Sequence, residues 1–129
     1  MDSSALIAII LDEPDSNDIL RALGEASSLK ISATTWVETH IVVDNLKLGR
    51  ASQERLKEIF ATLDIQIIAV DQNLAQDARD AHLVYGRGHH PARLNFGDCF
   101  SYALAKRENE PLLFKGNDFS QTDVIPALA

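Results

Sequence analysis

An acid at the start of an apolar helix constrains this chain most strongly. Residues 94–105 read LNFGDCFSYALA, which places Asp98 directly ahead of small and apolar side chains. Asn95 is a favourable N-cap residue and would put Asp98 in the first helical turn, where the helix dipole stabilises an anion. A buried carboxylate is costly unless a hydrogen-bond donor or a cation lies beside it. We therefore predict a helix that begins at Asn95 and directs Asp98 towards polar surroundings.

Composition and charge limit the class of protein. The 129 residues, 46% hydrophobic and 24% charged, predict a single domain over residues 1–129. No apolar run reaches the ~20 residues that span a membrane, and one cysteine excludes an internal disulfide, so we expect a cytoplasmic protein. The net charge of −7 argues against simple electrostatic binding of nucleic acid. It allows an acidic site that binds cations first and phosphate through them.

Short apolar strands alternate with amphipathic helices along the chain. Strands are predicted at residues 29–33, 65–70 and 111–114, and the β-branched second run is typical of a strand covered on both faces. Helix starts are predicted at Ser3 or Ser4, Asp15, Thr34 or Thr35 and Asp71. A further helix is predicted over residues 51–63 from the helical spacing of its apolar residues. This alternation indicates an α/β/α sandwich, with a short parallel sheet flanked by helices.

Four acids follow the ends of these predicted elements. Asp2 would end a first possible strand, Glu38 lies one turn beyond the 29–33 strand, Asp98 opens its helix, and Asp118 follows the last strand. Because ligands bind at the carboxyl ends of parallel strands, we expect these acids to share one edge of the sheet. Like charges at close range raise one another's pKa, and Mg²⁺ or Mn²⁺ would compensate for them. Such a site can activate water against a phosphodiester.

The same residues carry a resemblance to a known family. The segments Asp2–Leu6, Thr35–Glu38, Asn95–Phe100 and Phe114–Phe119 resemble, in that order, the motifs of PIN-domain ribonucleases, and more narrowly those of the VapC toxins. The resemblance extends from Asp2 to Val124, which is almost the whole chain. It implies a PIN-domain fold and a Mg²⁺- or Mn²⁺-dependent endoribonuclease of a toxin–antitoxin pair, inhibited by a cognate VapB-like antitoxin.

The resemblance also implies roles and partners. By position, Asp2 and Asp98 would bind the metal directly, whereas Glu38 and Asp118 would bind it directly or through water and orient the nucleophile. Similar toxins form homodimers, and heterotetramers or larger assemblies with the antitoxin, whose C-terminal tail crosses the acidic groove. Family members usually carry a few apolar residues ahead of the first aspartate, whereas only Met1 precedes Asp2 here. Either the sequence begins late or the central strand is shortened, and a shortened strand would weaken the anchoring of Asp2.

Residues 86–91 form a glycine- and histidine-rich loop that is dense in basic groups. We interpret this loop as solvated, with Arg87, His89, His90 and Arg93 as a rim that contacts substrate phosphates. A zinc site at the adjacent histidines is a weaker interpretation, since no cysteine partners accompany them. Ser4 is a further candidate for contact with substrate or for support of the metal ligands.

Two other functions compete with the nuclease hypothesis. A receiver-like phosphoacceptor domain would use Asp71, which follows a predicted strand, together with Lys115. That hypothesis leaves Glu38 and Asp98 unexplained. A catalytically silent module that only binds a partner protein is the second alternative, and metal binding distinguishes it from the nuclease.

Overall fold

A two-stranded parallel sheet lies among six helices in residues 1–128, the part of the chain that this computed structural model describes. β1 (Lys30–Ser32) pairs with β2 (Gln66–Ile68), with Ile31 opposite Ile67. The helices are α1 (Ser3–Ile10), α2 (Ser16–Glu25), α3 (Ala33–Asn45), α4 (Arg50–Thr62), α5 (Gln72–Tyr85) and α6 (Phe96–Glu108). This is the α/β/α arrangement with a short parallel sheet that the alternation predicted. Residue 129, the end of the predicted domain, lies outside the described residues.

Two groups of buried apolar side chains hold the helices together. The first includes Leu6 and Ile9 of α1 and Ile31 of β1, all fully buried. The second joins α5 and α6, where Leu74, Leu94 and Phe119 are almost entirely buried. Because α1 packs on α3 and α6 packs on both α3 and α5, the beginnings of α1 and α6 are held by the core. No helix of residues 1–128 has the length and apolarity needed to cross a membrane.

The predicted strands differ from the observed ones in extent and exposure. The prediction that residues 65–70 are covered on both faces is wrong, because Ile67 is 52% exposed and β2 pairs only with β1 in the described chain. Residues 111–114 form an isolated bridge from Leu112 to Pro126 rather than a strand, although Leu112 and Leu113 are buried as expected. Asp2 follows no strand. Instead, its N–H donates to the Leu113 carbonyl at 2.9 Å.

Side-chain caps define where the helices begin. Asn95 and Asp71 cap α6 and α5 as predicted, each accepting a hydrogen bond from a backbone N–H of the first turn. Asp15 is the N-cap residue of α2, as predicted, although its side chain makes no capping hydrogen bond. The predicted caps of α1 and α3 are wrong by one to three residues, since Asp2 caps α1 and Ser32 caps α3. These caps satisfy N–H groups that have no partner within their helices. The cap on α1 is therefore one of the candidate site acids.

Candidate active site

The Asp2 carboxylate is buried and fully engaged. Its side chain accepts hydrogen bonds from the Ser4 N–H at 3.1 Å, the Ser4 hydroxyl at 2.7 Å and the Ser101 hydroxyl at 2.6 Å. The residue is only 3% exposed. Donors of this kind compensate an anion for lost hydration. The expectation of weak anchoring is therefore wrong, because α1 and α6 fix Asp2 without a long preceding strand.

Asp98 occupies the first turn of α6, where a capping box holds it. Its carboxylate accepts from the Asn95 N–H at 3.0 Å, and its own N–H donates to the Asn95 side chain at 2.9 Å. Burial raises the pKa of Asp98 to about 7, and the negative charges of Asp2, Asp118 and Glu38 add to this rise. The hydrogen bond from Asn95 opposes it. The carboxylate thus lies in the electric field of all three other candidate acids.

Glu38 extends from α3 towards the start of α6. Its carboxylate accepts a hydrogen bond from the Ser3 hydroxyl at 2.8 Å. Burial raises the pKa of Glu38, the Ser3 hydrogen bond lowers it, and the charge of Asp2 raises it further. A Cβ atom built at Gly97 would lie 2.0 Å from Oε2 of Glu38. Gly97 therefore leaves the space that the Glu38 carboxylate occupies.

Asp118 is exposed in the turn that follows the buried 112–114 segment. Its charge contributes to the raised pKa of Asp98, which places it within electrostatic range of that carboxylate. The backbone before the turn is fixed to α1, because the Lys115 N–H donates to the Ser4 hydroxyl at 3.0 Å. Asp2, Glu38, Asp98 and Asp118, which we call the acid cluster, thus come from four separate parts of the chain.

Three positions that sequence reasoning missed support the acid cluster. Ser101 and Thr35 are buried, and their hydroxyls lie 3.3 Å apart beside Asp2. Gly97 provides the space for Glu38. The available signal for Ser101 was its helical spacing of three residues from Asp98, which places both on one face of α6. Thr35 was singled out only as a candidate cap and as the first residue of the Thr35–Glu38 segment.

The donor set of the acid cluster suits a hard cation. Carboxylate oxygens are the ligands that Mg²⁺ and Mn²⁺ prefer. Within residues 1–128, no three His, Cys, Asp or Glu side chains form a ready-made coordination group. Mg²⁺ usually keeps several waters and needs only one or two carboxylates. The acids around the buried Asp98 therefore suit an ion that keeps several waters. They suit less well a metal ion that needs a complete set of protein ligands.

The basic loop lies directly before α6. Arg87, His89 and Arg93 are all exposed, and the loop closes through a bridge between Gly86 and Leu94. Its role as a phosphate-contacting rim stays a prediction. The Ser4 hydroxyl, in contrast, has partners on both sides, since it donates to Asp2 and accepts from Lys115. We therefore interpret Ser4 as a support for Asp2.

The residues of the receiver hypothesis have other partners. Asp71 caps α5 and pairs with Arg107 at 3.3 Å. The Lys115 ammonium pairs with Glu13 and with Asp15, the latter at 3.0 Å. Both side chains thus serve structural contacts outside the acid cluster, so the geometry does not favour a phosphoacceptor site.

Comparisons with known proteins agree with this fold. The family model described as PIN domain matches residues 1–125. The chain is 42% identical to Ribonuclease VapC of Mycolicibacterium smegmatis, covering 96% of this chain and 95% of that protein. It is 43% identical to Ribonuclease VapC28 of Mycobacterium tuberculosis, and the match covers 99% of this chain and 96% of that protein. The chain therefore belongs to the PIN-domain family, and within that family it groups with the VapC proteins.

A solved structure confirms the fold independently of close sequence similarity. The crystal structure of VapC20 of Mycobacterium tuberculosis, a toxin that cleaves the sarcin–ricin loop, superposes with a TM-score of 0.75. The match covers 96% of this chain and 94% of VapC20, at 15% sequence identity. At that identity the likeness establishes the shared PIN fold.

Proposed function

We propose that this protein is a metal-dependent endoribonuclease toxin of a toxin–antitoxin pair, acting as one PIN domain over residues 1–129. The observation that carries the proposal is the burial of Asp98 within the field of three other acids, at the capped start of α6. Its relatives named as VapC ribonucleases match over nearly their full length. The reaction would be hydrolysis of an RNA phosphodiester bond.

Mg²⁺ or Mn²⁺ would be held by Asp2 and Asp98, with Glu38 and Asp118 binding directly or through water. When bound, such an ion polarises a phosphodiester and lowers the pKa of water. The hydroxyls of Ser4 and Ser101 keep Asp2 in place for this role. Fixed second-layer hydrogen bonds of this kind orient ligands and tune their basicity.

Glu38 would accept a proton from the attacking water, because Asp2 and Asp98 would be engaged as direct metal ligands. Its pKa is raised by burial, and a carboxylate with a raised pKa is a stronger base near neutral pH. Ser3 donates to one of its oxygens, which orients the other. Gly97 leaves room for the Glu38 carboxylate at the start of α6. Glu38 would thus orient the nucleophile and take its proton.

The partners would be RNA and a VapB-like antitoxin in the cytoplasm. Val37 and Ile41, one helical turn apart on α3, are 47% and 53% exposed. An apolar pair of this kind on a helix face supports a homodimer, which would form a heterotetramer or larger assembly with the antitoxin. The adjacent upstream reading frame should encode that small antitoxin.

Metal dependence of RNA cleavage tests the proposed reaction. The purified protein is treated with a chelator, which is then removed, and single-stranded RNA is added without metal, with Mg²⁺ or with Mn²⁺. We expect cleavage only with added metal, at internal bonds rather than from the ends. Equal cleavage in the continued presence of chelator would contradict the proposal.

A further inference from the structure

A cleft of about 360 Å³ lies between α5 and α6. Small-molecule sites in proteins have volumes of ~300–1,000 Å³, so the cleft has room for one planar group. Phe96 and Cys99, which line it, lie on either side of Asp98 in the sequence. The cleft and the acid cluster therefore share the first turn of α6.

Phe96 is the feature of this cleft that the acid cluster does not explain. It is 74% exposed, more than any other large apolar side chain in residues 1–128. Its ring packs against the half-buried Phe100 in an edge-to-face manner, with centroids 5.1 Å apart and an interplanar angle of 69°. Phe100 thus braces a ring that stays largely open to solvent. An exposed aromatic at a cleft beside a reactive site indicates a binding surface.

An arginine and a histidine line the same cleft in a chain of net charge −7. Arg79 and His82 contribute from α5. His82 also packs edge-on against His89 of the basic loop, with ring centroids 5.4 Å apart. The Arg79 side chain is 68% exposed, and its pairing with Asp80 at 3.7 Å is a weak surface contact. Positive charge is therefore available next to the exposed ring.

We propose that this cleft is a base-binding subsite, in which one unpaired nucleobase of an RNA strand stacks on Phe96. The adjoining phosphate would lie beside Arg79 and His82. Single-stranded nucleic acids are bound in this way, by aromatic platforms for the bases and cations for the backbone. RNA fits this combination because each of its nucleotides carries a planar base and a negatively charged phosphate. The inference rests on the proposed function, since the acid cluster would cut the strand that the cleft holds.

Binding of a short single-stranded RNA that contains one 2-aminopurine tests the subsite. The parent for this test is Asp98→Asn with Mg²⁺ present, so that the RNA stays intact. Adding Phe96→Ala should weaken binding about 5- to 100-fold, because each stacked base contributes on that scale. Phe96→Ala should also abolish the quenching of 2-aminopurine fluorescence on binding. Phe96→Trp should keep both the affinity for RNA and the quenching. Arg79→Gln should weaken binding and reduce its dependence on salt.

Matched controls distinguish an effect of the cleft from the effect of replacing any exposed side chain. Val84 lies on α5 next to the cleft residue Leu83, is 57% exposed and lines a different surface. Val84→Ala should bind RNA like the parent, whereas Leu83→Ala should weaken binding. Arg55, an exposed residue on α4, is the charge control for Arg79.

Each outcome decides the inference. Unchanged affinity of Phe96→Ala would overturn it, even if the wild-type protein cleaves RNA. Loss of self-association with unchanged RNA binding would also overturn it and assign Phe96 to an interface between copies. Binding that depends on Phe96, without cleavage by the wild type, would support the subsite and contradict only the proposed reaction. No RNA binding by the parent would overturn the subsite, whereas the proposed reaction is decided by whether the wild type cleaves RNA.

Discussion

The Ser101 hydroxyl donates a hydrogen bond of 2.6 Å to the Asp2 carboxylate, which joins residues 99 positions apart in the chain. Ser101 lies one turn after Asp98 on α6, and Asp2 caps α1. The two helices are thereby fixed at the point where their acids meet. A buried hydrogen bond to an anion is among the stronger interactions in a protein.

Loss of the Ser101 hydroxyl should weaken metal binding. Ser101→Ala removes one donor from Asp2, and loss of such a second-layer partner typically costs 10- to 100-fold in metal affinity or activity. We expect that decrease for Mn²⁺ in calorimetric titrations. Ser52→Ala is the control, because the Ser52 hydroxyl bonds only to the Gly49 carbonyl at the start of α4. Equal Mn²⁺ affinities for wild type and Ser101→Ala would refute the supporting role.

The same titration distinguishes the nuclease from a silent binding module. Wild-type protein should bind Mn²⁺ measurably, since the acid cluster concentrates negative charge around Asp98. An absence of heat at millimolar Mn²⁺ would favour the module that only engages a partner protein.

A methyl group at position 97 should displace Glu38. Gly97→Ala places a Cβ atom 2.0 Å from Oε2 of Glu38. The flexible Glu38 side chain must therefore move. We expect RNA cleavage to fall at least tenfold while the fold is kept, and Glu38→Asp in the same chain to restore part of the rate. Gly24→Ala on α2 is the control, because its Cβ meets nothing within 4 Å. That control should cleave normally and gain about 0.5–1 kcal/mol in stability. Full activity of Gly97→Ala would show that the position of Glu38 is unimportant.

Stability without metal should fall as the pH rises towards neutrality. The pKa of Asp98 is raised to about 7 from 3.8, so the folded chain holds this proton more tightly than the unfolded chain. The resulting stabilisation is complete below pH ~4 and is lost as the pH passes ~7, at a cost of up to about 4 kcal/mol. Urea unfolding of metal-free wild type and Asp98→Asn at pH 4 to 8 measures the difference. Parallel pH dependences for the two proteins would exclude this burial effect.

Helices were more predictable from the sequence than strands. Asn95 and Asp71 cap their helices as predicted, because a local side-chain hydrogen bond decides each start. The β-branched 65–70 run indicated a strand, but its exposure depends on which elements cover it, and only tertiary packing decides that. The 112–114 segment is buried as expected, yet its backbone bonds go to the Asp2 region and to residues 125–127 rather than to a ladder.

The acids of the candidate site were predictable, but their supports were not. Asp98 stood out because a carboxylate beside an apolar helix is costly to bury unless a hydrogen-bond donor or a cation lies next to it. Ser101 looked like an ordinary small residue of α6, since its partner Asp2 is distant in sequence. Phe96 had no separate role within the Asn95–Phe100 segment, and only the structure shows that its ring is exposed. Contacts between distant segments thus carried the information that local patterns lacked.

Cleavage of a defined RNA by wild type and Asp98→Asn tests the central claim most directly. Asparagine keeps the size of the side chain and one acceptor oxygen but removes the charge that the metal would require. With Mg²⁺ or Mn²⁺ present and thermal unfolding confirming an intact fold, we predict that Asp98→Asn loses at least 100-fold in rate. Cleavage by folded Asp98→Asn at the wild-type rate would contradict the assignment of catalysis to the acid cluster.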